Sequence, residues 1–203
     1  MPRLSQNREL PLAMTQLRIC SSLRDCGSTK VEEAFDKSEA KLLYVYDDHC
    51  LGYADWNDQI PDFPSKCFRA GNSGTIVLLP LDGKIITGSA IVQGGVCDCM
   101  LLTEREMSFV EFKTNVESTN PLTTIQRAEE AKRQLWHTYN EIIKHRCKTM
   151  INQLTIPLQI DFFVVFDEEY EITGANSSLM DMSEEFLEEH RLPLFFGNEK
   201  TFR

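Results

Sequence analysis

Two apolar runs, Cys97 to Leu102 and Phe109 to Phe112, flank the polar stretch Thr103 to Glu106. That pattern predicts a β-hairpin. A turn centred between Glu104 and Arg105 sets Leu102 opposite Met107 and, further out, Asp98 opposite Glu111. Side chains alternate along a strand, so Glu111 and Lys113 share a face and Asp98 joins them. Cys97, Cys99, Val110 and Phe112 are then expected on the opposite face. Upstream, Thr75 to Leu79 reads as a strand, Leu81 to Lys84 as an Asp-Gly turn, and Ile85 to Thr87 as a second short strand. The pair Gly94-Gly95 is expected to let backbone approach a ligand closely. Downstream, Thr123 or Thr124 is expected to cap a long helix reaching about Cys147, with Ile125, Ala128, Ala131, Leu135, Ile142 and Ile143 as its apolar stripe. Leu158 to Phe166 is almost continuously apolar, the mark of a strand covered on both faces in a mixed sheet.

The flanks are less regular. A helix capped by Ser28 or Thr29 is predicted through Val31 to Tyr46. Residues 47 to 74, rich in Pro, Gly, Asn and Asp, read as irregular, with Tyr53, Trp56 and Phe63 covering the core. Ser183 is expected to cap a short last helix carrying Phe186 and Leu187, and the apolar end LPLFFGNEKTFR to dock on the domain. The expected organisation is one domain over 1–203. Its core lies at about 70–170, a helical and irregular segment at 1–69, and an acidic extension at 171–203.

Composition narrows the class. A chain of 203 residues, 42 % hydrophobic and 26 % charged, fits a soluble domain with a sizeable core. No apolar run is long enough for a membrane helix, and the first residues lack a secretory signal. Seven scattered cysteines suit a reducing cytoplasm, and without a CxxC pair they make a poor zinc site. Net charge is −10. Ten acids and no Lys or Arg lie between Thr149 and His190, whereas six bases outnumber three acids between Thr123 and Met150. The basic helix either guides a nucleic-acid backbone or simply keeps the helix soluble. Without a broad basic surface, weak independent binding to long duplex DNA is expected. The acidic C-terminal region would suit a basic protein partner.

Opposed carboxylates repel unless a cation lies between them. Asp98 and Glu111 offer the hard oxygen donors that Mg²⁺ or Mn²⁺ prefer, and Lys113 stands ready to orient a water or steady a phosphate. Metal-assisted phosphodiester hydrolysis is the chemistry this combination suits.

Gly94-Gly95-Val96-Cys97-Asp98 followed by Phe109-Val110-Glu111-Phe112-Lys113 resembles the core of the PD-(D/E)XK, or restriction-endonuclease-like, nucleases. The resemblance covers roughly residues 70 to 170. It implies an α/β fold: a mixed central sheet with an antiparallel meander, flanked by helices. It also implies catalytic roles for Asp98, Glu111, Lys113 and, on the following helix, Gln134, with Asp98 and Glu111 as metal ligands. Some members carry Gln and Tyr four residues apart; here Thr138 holds that place and Tyr139 comes one later. Nucleases of this group serve in DNA repair and in bacterial defence against phage. A catalytically inactive nuclease-like fold acting as a protein-interaction module is the alternative expectation.

Overall fold

A computed structural model describes residues 10–88, 92–116, 120–151, 154, 157–169 and 175–203. Three short helices come first: α1 (Leu12–Gln16), α2 (Ile19–Ser22) and α3 (Val31–Ala34). Strands β1 (Asp36–Ser38), β2 (Leu42–Asp48), β3 (Tyr53–Asn57), β4 (Phe68–Asn72), β5 (Ile76–Pro80), β6 (Cys99–Leu102) and β7 (Glu106–Phe112) follow. Helix α4 (Pro121–His137) passes through a π turn at Thr138–Ile143 into α5 (Lys144–Ile151). The chain ends with β8 (Gln159–Val165), α6 (Asn176–His190), β9 (Leu194–Phe196) and β10 (Glu199–Phe202).

The strands form two mixed sheets. The larger runs β1-β5-β6-β7-β8-β9, antiparallel as far as β7 and parallel from β7 to β9. The smaller runs β10-β4-β2-β3, with β10 parallel to β4. Helices cover one face of the larger sheet, where Met100, Phe109, Phe162 and Val164 meet Ala128, Ala131, Leu135 and Phe186. The smaller sheet covers the other face, where Leu101, Val110, Phe163 and Val165 meet Val45, Trp56, Phe68 and Phe202. Burial on both sides explains the unbroken hydrophobicity of β8.

Several expectations are corrected. The helix from Val31 to Tyr46 is one turn only, since Phe35 is already extended at φ −80 and ψ 154. Its apolar residues never held a clean helical face, and the run Leu42-Leu43-Tyr44-Val45 gains more as a strand between β3 and β4. Residues 47 to 74 are not simply irregular, because β3 and β4 lie within them; Pro61 and Pro64 fall in the connection between those strands. Ile85 to Thr87 is no strand. The N–H groups of Ile85 and Ile86 bond back to the carbonyls of Pro80 and Leu81, which folds two fully buried side chains into a tight loop. The cap of α4 is Asn120, whose side chain accepts the Leu122 N–H at 3.1 Å, with Pro121 at the first helical position. The last helix begins at Asn176, not Ser183. The chain end packs as a strand in each sheet, with Leu194 and Phe202 buried. Residues 1–9 and Glu171, which the sequence reading included, lie outside the described residues.

Strand β10 brings Lys200 between the sheets. Its Nζ donates to Asp161 Oδ2 at 2.6 Å and to Ser108 Oγ at 2.9 Å, and lies 3.2 Å from Glu106 Oε1. Ser108 Oγ donates to Asp161 Oδ1 at 2.5 Å. Removing the ammonium leaves two buried carboxylates without a counter-charge. Lys200→Met is therefore expected to cost about 3–5 kcal/mol in urea denaturation. Adding Asp161→Leu to that variant is expected to recover part of the loss.

Candidate active site

The β6–β7 ladder pairs Cys99 with Val110 and Met100 with Phe109, which leaves Asp98 facing Glu111 one step beyond it. There the two acids replace the ladder. The Asp98 N–H donates to Glu111 Oε2 at 3.2 Å, and the Phe112 N–H donates to Asp98 Oδ2 at 2.6 Å. The Asp98 carbonyl accepts the Leu81 N–H at 2.9 Å, which fixes it against the loop after β5. Glu111 follows Phe109 onto the helix-covered face. Lys113 keeps the same side because its N–H still bonds to the Val165 carbonyl, at 2.7 Å. Lys113 Nζ lies 2.8 Å from Glu111 Oε1 and donates to Gln134 Oε1 at 2.8 Å. Gln134 Nε2 in turn donates to the Val96 carbonyl at 3.3 Å. Asp98, Glu111, Lys113 and Gln134 thus meet at one end of the larger sheet, under α4. Glu111 is 2 % exposed and Lys113 9 %, while Asp98 is half-buried.

Gly94 and Gly95 make room for α4, so the close approach that the structure shows at this pair is to the helix. Gly95 has φ +83, and a Cβ there would lie 2.6 Å from Gln134 Cγ. A Cβ on Gly94 would overlap the His137 ring, whose Nδ1 sits 2.7 Å from the Gly95 carbonyl oxygen. The π turn adds a second clamp. Thr138 Oγ1 donates to the Gln134 carbonyl and accepts the Cys97 N–H, both at 2.8 Å. Cys97 consequently packs in the helix-side core instead of on the far face. Tyr139 also turns to that core, its ring 5.7 Å from Phe109 and 5.6 Å from Phe162.

Burial dominates the electrostatics. It holds the Asp98 carboxyl well above the usual range, reinforced by the negative charge of Glu111. It also pushes Glu111 up to about 7, against the pull of Lys113. Asp82, in the loop after β5, is raised by burial and by the charge of Asp47, and it raises Glu111 in turn. Sequence reading missed both neighbours, because Asp82 looked like a turn residue and Asp47 comes from the other sheet. The β2–β3 turn reaches this loop through a close Gly83–Gly52 contact and through Lys84 Nζ, 4.1 Å from the Tyr53 ring centre. Glu130, 3.9 Å from Lys113 Nζ, was also missed, though it lies one helical turn before Gln134. Half of the six bases on this helical stretch are already in ion pairs: Arg127 with Glu130, Lys132 with Glu129, and Arg146 with Asp25.

Among the described residues, no group of three or more His, Cys, Asp and Glu side chains is arranged to hold a metal ion. No helix there is long and apolar enough to cross a membrane, and all seven cysteines are free. No family model, curated protein or solved structure matches the chain at a significant level.

Two outcomes are expected. Gly95→Ala forces a side chain into left-handed backbone and against Gln134, so unfolding measurements should show a loss of about 1–3 kcal/mol. The second concerns pH. The Glu111 carboxyl takes up protons more readily folded than at its ordinary value of 4.5. Its contribution to stability is therefore complete in acid and lost as pH rises through about 7. In metal-free buffer, denaturation midpoints of the wild type should fall across that window, and Glu111→Gln should flatten the fall.

Proposed function

We propose that the protein is a metal-dependent nuclease of the PD-(D/E)XK kind, hydrolysing phosphodiester bonds in DNA or RNA. The observation that carries the reading is the meeting of Asp98 and Glu111 across the hairpin with the Lys113 ammonium 2.8 Å from Glu111. The order of elements agrees with it: short helices, the antiparallel β5-β6-β7 meander, helix α4, then β8 parallel to β7.

The two acids fit a small hard dication. They supply oxygen donors, their register holds them together, and burial sharpens their repulsion, which a cation relieves. Asp98 and Glu111 would hold Mg²⁺ or Mn²⁺, with water filling the remaining positions. Once bound, such an ion polarises a phosphoryl oxygen and lowers the pKa of a coordinated water. Lys113, fixed between Glu111 and Gln134, presents its ammonium where charge develops on the phosphate. Gln134 keeps it there, anchored to the Val96 carbonyl. A second reading, a catalytically silent nuclease-like fold that binds a protein partner, is favoured by the acidic face of α6.

The two readings separate in one set of measurements. With Mg²⁺ or Mn²⁺, the protein should cleave at least one of single- or double-stranded DNA or RNA. Glu111→Gln and Lys113→Met should each lower the rate on the order of 10²-fold or more. Either cation should raise the melting temperature of the wild type and not of the double variant Asp98→Asn, Glu111→Gln. The absence of both cleavage of every substrate and cation-dependent stabilisation would overturn the nuclease reading.

A further inference from the structure

Among the described residues, strand β9 closes the larger sheet and is bonded to β8 on one side only. Beside it, α6 and β9 frame a groove of about 510 Å³, with Leu179, Met180, Leu187, Leu194 and Phe196 in its lining. Met180 is 65 % exposed, Leu187 47 % and Phe195 45 %, three large apolar side chains around one short strand. Phe195 belongs to the other face of the sheet, where its ring stacks on Phe163 at 5.1 Å. A segment laid along β9 would therefore rest one set of its alternating side chains on Phe195 and turn the other toward α6, where the apolar lining suits the stems of long side chains and Glu184 stands in the groove wall. A free strand edge with apolar neighbours on both faces is the arrangement used when a partner chain adds a strand.

Charge identifies the partner. Helix α6 exposes Asp181, Glu184, Glu185, Glu188 and Glu189, and no Lys or Arg lies between Asn176 and His190. A second copy of this chain paired through β9 would bring two such helices together, which their like charge opposes. A cationic segment gains from the same field.

We propose that the β9 edge and the α6 groove bind an extended segment of a partner protein in which apolar and basic residues alternate. It pairs with β9 as a further strand, and its lysines or arginines face the α6 carboxylates. This surface is separate from Asp98 and Glu111, and the proposal holds whether or not those residues support cleavage.

The test uses the whole protein and a short fluorescent peptide alternating valine and lysine, followed by anisotropy at physiological salt. Saturable binding is expected, with slowed amide exchange in β9. Phe195→Ser, Leu187→Ser and the pair Glu184→Lys, Glu188→Lys should each weaken it about tenfold or more. All these side chains are exposed, and melting curves check that the variants remain folded. A peptide alternating valine and glutamate should not bind. Equal binding of that peptide overturns the proposal, as does indifference to the three variants or unchanged exchange in β9. Sedimentation showing a dimer that Phe195→Ser dissolves would assign the surface to a second copy instead and overturn it too.

Discussion

A charged group in a sheet covered on both faces must bring its partners with it, and the larger sheet meets this requirement twice. Both solutions use two acids and a lysine. Between the sheets, the Lys200 ammonium lies within 3.2 Å of both Glu106 and Asp161, and Ser108 completes the arrangement. On the helix side, the Lys113 ammonium is 2.8 Å from Glu111, and Asp98 leans on the Phe112 amide. The first cluster is closed around its cation and fastens β10 to the larger sheet. In the second, burial above all makes both carboxyls hold protons more tightly than usual, with the charge of Glu111 adding to the effect at Asp98 and that of Asp82 at Glu111. The same residue types thus yield a structural clamp at one place and an unrelieved negative site at the other.

What keeps that second cluster in place lies outside the hairpin. Gln134 reaches Lys113 only because α4 comes close to Gly94 and Gly95, where any side chain would intrude. Four residues after Gln134 the helix widens into a π turn, and Thr138 ties the widened turn to the Cys97 amide. π turns often mark functional sites, because the inserted residue lets one helix present two faces correctly. Here Gln134 faces the acids while Tyr139, one residue past α-helical spacing, still packs in the aromatic core. The helix resolves a conflict between site and core by changing its pitch.

The hairpin register was legible because two rules agreed: alternation along each strand and a short polar turn at a definite centre. Asp98, Glu111 and Lys113 followed from that register, whereas Gln134 came only from the family resemblance. The long helix and β8 were legible for a similar reason, since each carries one unbroken pattern. The smaller sheet was hidden. Its strands are brief, with Asp, Asn and Gly inside them, and they are buried by contact with a distant part of the chain rather than by their own periodicity. The Leu42 to Tyr46 run illustrates this, being apolar enough for either helix or strand and decided by pairing with β3 and β4. Gly94 and Gly95 announced a close approach without saying to what. Asp47 and Asp82 reach the site through packing between loops, for which the sequence holds no local signal.

The acidity of the C-terminal third, which opposes binding of a polyanion when read as a total, changes meaning once its residues are placed. Asp161 is spent on Lys200, and Glu168 forms an ion pair with Arg69. Five of the remaining acids sit on α6, which packs beside β9 at the edge of the sheet, whereas Asp98 and Glu111 lie on β7 and at the start of β6. Two strand spacings separate β7 from β9, roughly 10 Å, and fields between exposed charges fade over about 8 Å at physiological salt. A phosphodiester at Lys113 would therefore meet the α6 charge only in screened form. The net charge of −10 argues less against nucleic acid at the candidate site than for a separate, cationic partner at the sheet edge. On the two proposals made above, the faces divide the chain's electrostatics: one would take a small cation, the other a basic segment.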